Sequence, residues 1–389
     1  MKMEQVYQIL NTITNEILGE TVIVNEDLSN VVDIGRAFQN LDGAVDRYVR
    51  RLQDHIGKVV FVDRVYSGRY PSVLRDAWEY GSICEKIRAD LPDATENESW
   101  ELVDGASYDP NIFTAPKISV KFFNNKVTFE IPISITRQQV TSSFSSAVQL
   151  NAFYSMIATA VENSMTIKLD SLIERTVNSA IGETMHSEFP GGTYTNASGV
   201  RAVNLYYLYK QAYPNATETA DTAIYSPDFI RFAVYTIKNY FRWVASPSNL
   251  FNIGGTTKFT PTDRQHMAIL GAFKNAADVY LYDGNGQFST SRITLPGNID
   301  EVPYWQGSGL NMAFDDISSI NIKTPSGDTV NVSGILAVLY DRDTLGVSNL
   351  NRRVTTDYNA KAEFYNEWHK ADAGYWLDLD ENCIVFFVA

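Results

Sequence analysis

Apolar positions along the first part of the chain recur at helical spacing. Val6, Ile9, Leu10, Ile13 and Ile17 mark one face of a helix that Gly19 ends, and Ile34 to Ile56 repeats the pattern through Phe38, Leu41, Val45, Val49 and Leu52. From Tyr70-Pro71 the character changes. A segment around Trp78 and Ile83 gives way to Leu91-Pro92-Asp93 and an acidic, turn-rich passage through Asp109-Pro110, which reads as an extended excursion from the body. Strict alternation follows: Ile118, Val120 and Phe122, then Asn124-Asn125, then Val127, Phe129, Ile131 and Ile133. This predicts a β-hairpin with Asn124-Asn125 at the centre of a primed turn, which pairs Phe122 with Val127, Val120 with Phe129 and Ile118 with Ile131 on one apolar face. Such a ribbon is marginal alone and needs a surface to lie on.

Beyond Pro132 a serine cluster (Ser142, Ser143, Ser145, Ser146) leads into a long helical pattern through Leu150, Phe153, Ile157, Val161, Met165, Leu172 and Val177. With no proline before Pro190, the span Ala147 to Met185 would be about 58 Å long at the usual rise, and the surrounding strand patterns place it across a sheet. Ser226-Pro227-Asp228 is a helix start that opens Phe229 to Val244. Thr262-Asp263 is predicted to open another, through Met267, Ile269, Leu270 and Phe273 to Ala277, with strands at Val279 to Tyr282 and Ile335 to Tyr340. The run Ile384-Val385-Phe386-Phe387-Val388 reads as a strand covered on both faces that ties this end of the sequence into the body.

Composition narrows the functions available. The 389 residues are 44% hydrophobic, enough for two or three domains with real cores, and rich in Tyr (22) and Phe (20), which suit both sheets and large protein contacts. A net charge of -14 argues against a surface built to grip nucleic acid or anionic membranes, although an acidic wall suits a container for DNA. Cys84 and Cys383 are nearly the whole chain apart and are read as reduced. There is no signal-peptide pattern at Met1-Lys2-Met3 and no apolar run of membrane-spanning length.

No chemistry emerges from the motifs. His55, His186, His266 and His369 stand singly, and Asp283-x-Asn285-x-Gln287 begins like a calcium loop but has Gly at the fourth position and Thr294 at the twelfth. Nucleophile elbows and phosphate loops are missing, so no catalytic, cofactor-binding or metal residue is assigned. Asp378, Asp380 and Glu381 lie beside Asn382 in a turn and read as a solvated loop. Asp341-Arg342-Asp343, just after a strand, is the charged cluster read as purposeful, an ion-pair network or an interface.

The order of parts, an arm, an extended hairpin, a long helix, an α+β domain and a strand-rich return, resembles the Hong Kong 97 type major capsid protein of tailed phages. Lys117 to Ile135 running into Ser145 to Glu183 looks like that family's extended loop and spine helix. Ile335 to Asp343, Glu363 to Trp368, Gly374-Tyr375-Trp376 and Glu381 to Phe387 look similar to the subunits of small short-tailed phages. The resemblance implies an α+β fold with an N-terminal arm (1–70), extended loop (71–142), spine helix of the peripheral domain (143–192), axial domain (193–345) and a return to the peripheral domain (346–389). It further implies a non-enzymatic virion protein, assembled in the host cytoplasm as pentamers and hexamers into an icosahedral shell around DNA. A scaffolding protein and a portal would be its partners. An encapsulin-like compartment shell and another virion structural protein are the alternatives. Ile118, Val120, Phe122, Val127, Phe129, Ile131, Asp341, Arg342 and Asp343 are the residues expected at contacts between subunits.

Overall fold

The computed structural model describes residues 3–18, 24–40, 73–76, 84–89, 96–108, 117–280, 298–305, 320–323 and 329–389, with a few single positions between them. Two amphipathic helices open it, α1 (Met3–Leu18) and α2 (Val31–Asn40). They bury the apolar positions read from the sequence, Leu10 and Ile13 on α1 and Ile34 and Phe38 on α2. The Phe38 ring lies 4.9 Å from Tyr48 and 5.7 Å from Phe144, a tilted aromatic cluster that glues the arm to the body. Gly35 makes this approach possible, because a Cβ there would overlap Phe144. The expected continuation of the second helix past residue 48 lies outside the described residues, as does the region of the calcium-like loop.

Four strands follow: β1 (Leu74–Asp76), β2 (Cys84–Ala89), β3 (Ile118–Phe123) and β4 (Lys126–Thr136). Both strands of the predicted hairpin exist, but they do not pair with each other. β3 pairs antiparallel with β2, from Cys84 opposite Phe123 to Ala89 opposite Ile118. β4 instead pairs antiparallel with Phe364 to Gly374, far along the chain. Two facts explain the difference. A primed turn needs positive φ, and neither Asn124 nor Asn125 has it. The Asn125 carbonyl instead accepts a hydrogen bond from the Tyr375 amide at 3.1 Å, which ties the link to a distant part of the chain.

α3 (Arg137–Ser143) starts with a capping box, in which Thr136 and Gln139 satisfy each other's backbone amides. Ser146 then caps α4 (Ala147–Glu188), a spine of 42 residues and so about 63 Å long. The spine passes through three apolar clusters. Its first turns (Leu150, Phe153, Ile157) join the N-terminal arm, Val161 and Met165 meet Ala371, and Leu169 to Met185 enter the main core. Polar residues on the spine are accommodated locally: the hydroxyls of Thr166, Ser171, Thr176 and Thr184 each donate to the carbonyl four residues earlier.

The main core is built on β5 (Ala202–Asn204), α5 (Leu205–Ala212), α6 (Pro227–Val244), β6 (Gln265–Leu270), α7 (Gly271–Tyr280) and β7 (Asn298–Val302). The sequence pattern predicted a helix across 262–277. A strand occupies 265–270 because all six side chains are buried, and a helix buried on only one face would leave some exposed. The helix begins only at Gly271 and includes Val279 and Tyr280, which the pattern had assigned to a strand. After the small hairpin β8 (Ile320–Lys323) and β9 (Thr329–Val332) come β10 (Ile335–Asp341), β11 (Leu345–Asn359), β12 (Phe364–Leu377) and β13 (Cys383–Phe387). Two sheets result, with strand orders β1-β11-β12-β4 and β5-β13-β10-β6-β7. β13 sits inside the second sheet, antiparallel to β10 and parallel to β5, and its five side chains are all buried.

In the long β11–β12 hairpin Gly346 faces Trp376, and a Cβ at 346 would overlap the indole. Gly346→Ala should therefore destabilise the subunit by about 1–3 kcal/mol through overpacking, read as a lower urea midpoint with unchanged m-value.

Candidate assembly interface

The β2–β3 ribbon has two unlike faces because its side chains alternate. Ile87, Ile118, Val120 and Phe122 share one face, and they remain 68%, 61%, 43% and 65% exposed. Lys86, Arg88 and Lys121 share the other. That basic face lies on the turn after β12. Lys86 Nζ is 2.7 Å from Asp378 and 2.6 Å from Glu381, while Lys121 Nζ is 2.8 Å from Asp378 and 2.6 Å from Asp380. Arg88 reaches Asp380 at 3.7 Å, and Lys258 reaches Glu381 at 2.6 Å from the far side.

Burial is the largest single influence on Asp378, Lys86, Lys121 and Lys258, but the charges facing them decide the outcome for the first three. On its own it would push the Asp378 carboxyl up, but hydrogen bonds from Lys121 and Lys86 reverse the effect and hold it below the ordinary 3.8. Desolvation likewise works against the charge on Lys86 and Lys121, and the carboxylates facing them bring both above 10.5. Lys258 goes the other way. Burial pulls it down, and its bond to Glu381 does not offset that burial and the nearby charges of Arg88 and Lys86.

A second polar cluster adjoins the first. The buried Asp341 accepts from the Thr260 hydroxyl at 2.8 Å and from the Asp343 amide at 2.8 Å, and Arg264 bridges Asp341 and Asp343. Asn382 ties the two clusters together. Its carbonyl accepts from the Asp341 amide at 3.0 Å and from the Thr344 hydroxyl at 3.1 Å, and its side-chain amide donates to Thr260.

These contacts separate the nine residues singled out in the sequence. Ile118, Val120 and Phe122 stay together on the uncovered face. Val127 and Phe129 instead pack on the subunit's own main core, and Ile131 packs beside Val161 and Met165. Asp341 and Asp343 belong to the internal network, and Arg342 is an exposed residue whose amide bonds to the Arg264 carbonyl. Sequence reasoning missed Ile87, which the alternation in Cys84 to Ala89 could have revealed. It also read Asp378, Asp380 and Glu381 as solvated, whereas only 2% of the Asp378 side chain is exposed. Their partners on the ribbon lie more than 250 positions away in sequence, beyond any local signal.

Further out, between β2 and β3, the chain forms a small knob. The Ala106 amide donates to the Val103 carbonyl at 3.1 Å across a turn with Gly105 at φ +85°, and the Val103 amide donates to the Tyr108 hydroxyl at 3.1 Å. Trp100, Leu102 and Val103 project from it uncovered. Among the described residues no His, Cys, Asp or Glu cluster is arranged to hold a metal ion, and no helix is long and apolar enough to cross a membrane.

The sequence model of the Phi29-like phage major capsid protein family matches residues 10–387. No curated protein matches the chain. Among solved structures, a chain of the capsid of Staphylococcus phage Andhra is 9% identical, covering 84% of this chain and 86% of its own, with a TM-score of 0.49. A chain of the capsid of the cyanophage P-SCSP1u is 10% identical, covering 87% and 94% respectively, with a TM-score of 0.43.

The charged turn should hold the ribbon only within a pH window. Because Asp378 is lowered, its contribution is complete above 3.8 and fades as pH falls below that value; because Lys86 and Lys121 are raised, theirs is complete below 10.5 and fades as pH climbs past it. Asp378→Asn removes the central carboxylate at neutral pH. Hydrogen exchange over 84–89 and 118–123 should then quicken by roughly tenfold or more, with 383–387 unchanged.

Proposed function

The chain belongs to the Phi29-like phage major capsid protein family, and we propose that it builds the shell by laying the apolar face of its β2–β3 ribbon on an adjacent subunit. Its fold is the Hong Kong 97 type, and its role in the virion capsid is structural, not enzymatic. Family membership sets aside the cellular-compartment reading and the reading as another virion component.

The observation that carries the ribbon reading is the exposure of Ile87, Ile118, Val120 and Phe122 on a ribbon whose other face is held down by salt bridges. A two-stranded ribbon cannot hide that face within itself. On the neighbour, the spine helix offers Ile167, which is half exposed, and the four-stranded sheet lies beside that helix. Covering each large side chain contributes on the order of 1.5–3 kcal/mol, and the contact repeats at every subunit. Closure as pentamers and hexamers follows from the same reading, since a head-to-tail contact that repeats by rotation makes rings. A scaffolding protein and a portal are the partners such a shell requires, and a wall of net charge -14 encloses DNA without gripping it.

Two double variants separate contact between subunits from contact within one. Ile118→Asp with Phe122→Asp should leave a monodisperse subunit with unchanged circular dichroism that no longer forms shells by electron microscopy. Phe129→Asp with Val127→Asp should instead unfold or aggregate the subunit, because those side chains pack on its own core. Normal shells from the first variant would sink the reading.

A further inference from the structure

The helix α6 carries a stripe of basic and aromatic side chains on the side turned away from the core. Arg231, Tyr235, Lys238 and Arg242 follow one another at intervals of four, three and four residues, so they share one side of the helix. Phe229, Ile230, Ala233, Val234, Ile237 and Phe241 occupy the opposite side, in the core. Tyr235 is 65% exposed and Trp243, beside the stripe, 50%. Within the subunit Arg231 has a partner in Asp228 at 3.5 Å, a pair exposed on both sides and so weakly held. A basic and aromatic helix face is unexpected on a protein of net charge -14.

The knob between β2 and β3 has the complementary character. Trp100 is 95% exposed, Leu102 64% and Val103 66%, and Glu101 and Asp104 are exposed among them. Its turn is already closed by the Ala106 to Val103 and Val103 to Tyr108 hydrogen bonds, so little order is lost when it binds.

We propose that α6 of one subunit receives the knob of a second copy, with Glu101 and Asp104 meeting Arg231, Lys238 and Arg242 while Trp100 packs on Tyr235. This rests on the reading of the chain as a self-assembling shell subunit and names a second contact, distinct from the ribbon face. Charge complementarity selects the partner, and the apolar knob excludes the other polyanion at hand. DNA would satisfy the three cations but would leave Trp100, Leu102 and Val103 uncovered.

Charge exchange tests the pairing. Glu101→Lys with Asp104→Lys, and separately Arg231→Glu with Arg242→Glu, should each leave a folded subunit but lower the yield of closed shells by about tenfold or more. Combining all four changes should restore the yield to within about threefold of the parent, because the attraction returns with its signs exchanged. No recovery in the combined protein overturns the proposal. Shells that close normally but hold less DNA with the helix reversal also overturn it and assign the stripe to nucleic acid. Where a reversal prevents folding, subunits carrying Trp100→Cys are mixed with subunits carrying Tyr235→Cys, assembled and oxidised with diamide. A disulfide-linked dimer supports the contact, and its absence counts against it. Shells that survive the helix reversal but not the ribbon variants refute this inference alone, whereas shells that survive both sets refute the ribbon reading as well.

Discussion

A carboxylate taken out of water must be met by charge, and the placement of Asp378 makes this the constraint on which the extended ribbon depends. Two lysines answer it, one from each strand of the ribbon, at 2.7 and 2.8 Å. Their side chains can reach Asp378 only if the basic face of the ribbon lies against the turn. Strand alternation then leaves Ile87, Ile118, Val120 and Phe122 facing away from the subunit. The exposed apolar face is thus the geometric complement of a buried ion-pair cluster. Such clusters add little net stability compared with an apolar core, but they fix direction, because a misplaced ribbon would strand a desolvated charge.

The spine helix sets the distance over which that direction is transmitted. It begins in the cluster of the N-terminal arm, crosses under the four-stranded sheet and ends in the core of the five-stranded sheet. Because its neighbours change along its length, the buried side rotates around the axis, and no single apolar stripe runs from end to end. The hydroxyls of Thr176 and Thr184 donate to their own backbone, which lets them sit in buried positions.

Much of this was legible in the sequence, and the failures have physical causes. The end of α1, the capped start of the spine at Ser146 and the proline start at Pro227 are local signals that local physics obeys. The alternation at 118–133 correctly marked two strands and their apolar faces. What it could not reveal was pairing, because β3 and β4 each prefer a distant partner to each other. Gln265 to Leu270 was misread for a related reason: a strand buried on both faces has no period, so the apolar run merged with the helix that follows. The charged turn was the largest omission. Asp378, Asp380 and Glu381 look like any solvated loop until Lys86, Arg88, Lys121 and Lys258 are brought to them from three separate parts of the chain.

The place of β13 has a consequence for synthesis. Residues 383–387 fill the gap between β5 and β10, both of which are made earlier. Until that segment leaves the ribosome, β5 has no neighbour in the sheet, and the hydrogen-bonding edge of β10 that β13 will pair with stays open. The same turn that grips the ribbon immediately precedes β13, so the ribbon is also latched late. The ribbon therefore cannot take up its final placement, nor the second sheet close, until residues 378–387 have left the ribosome.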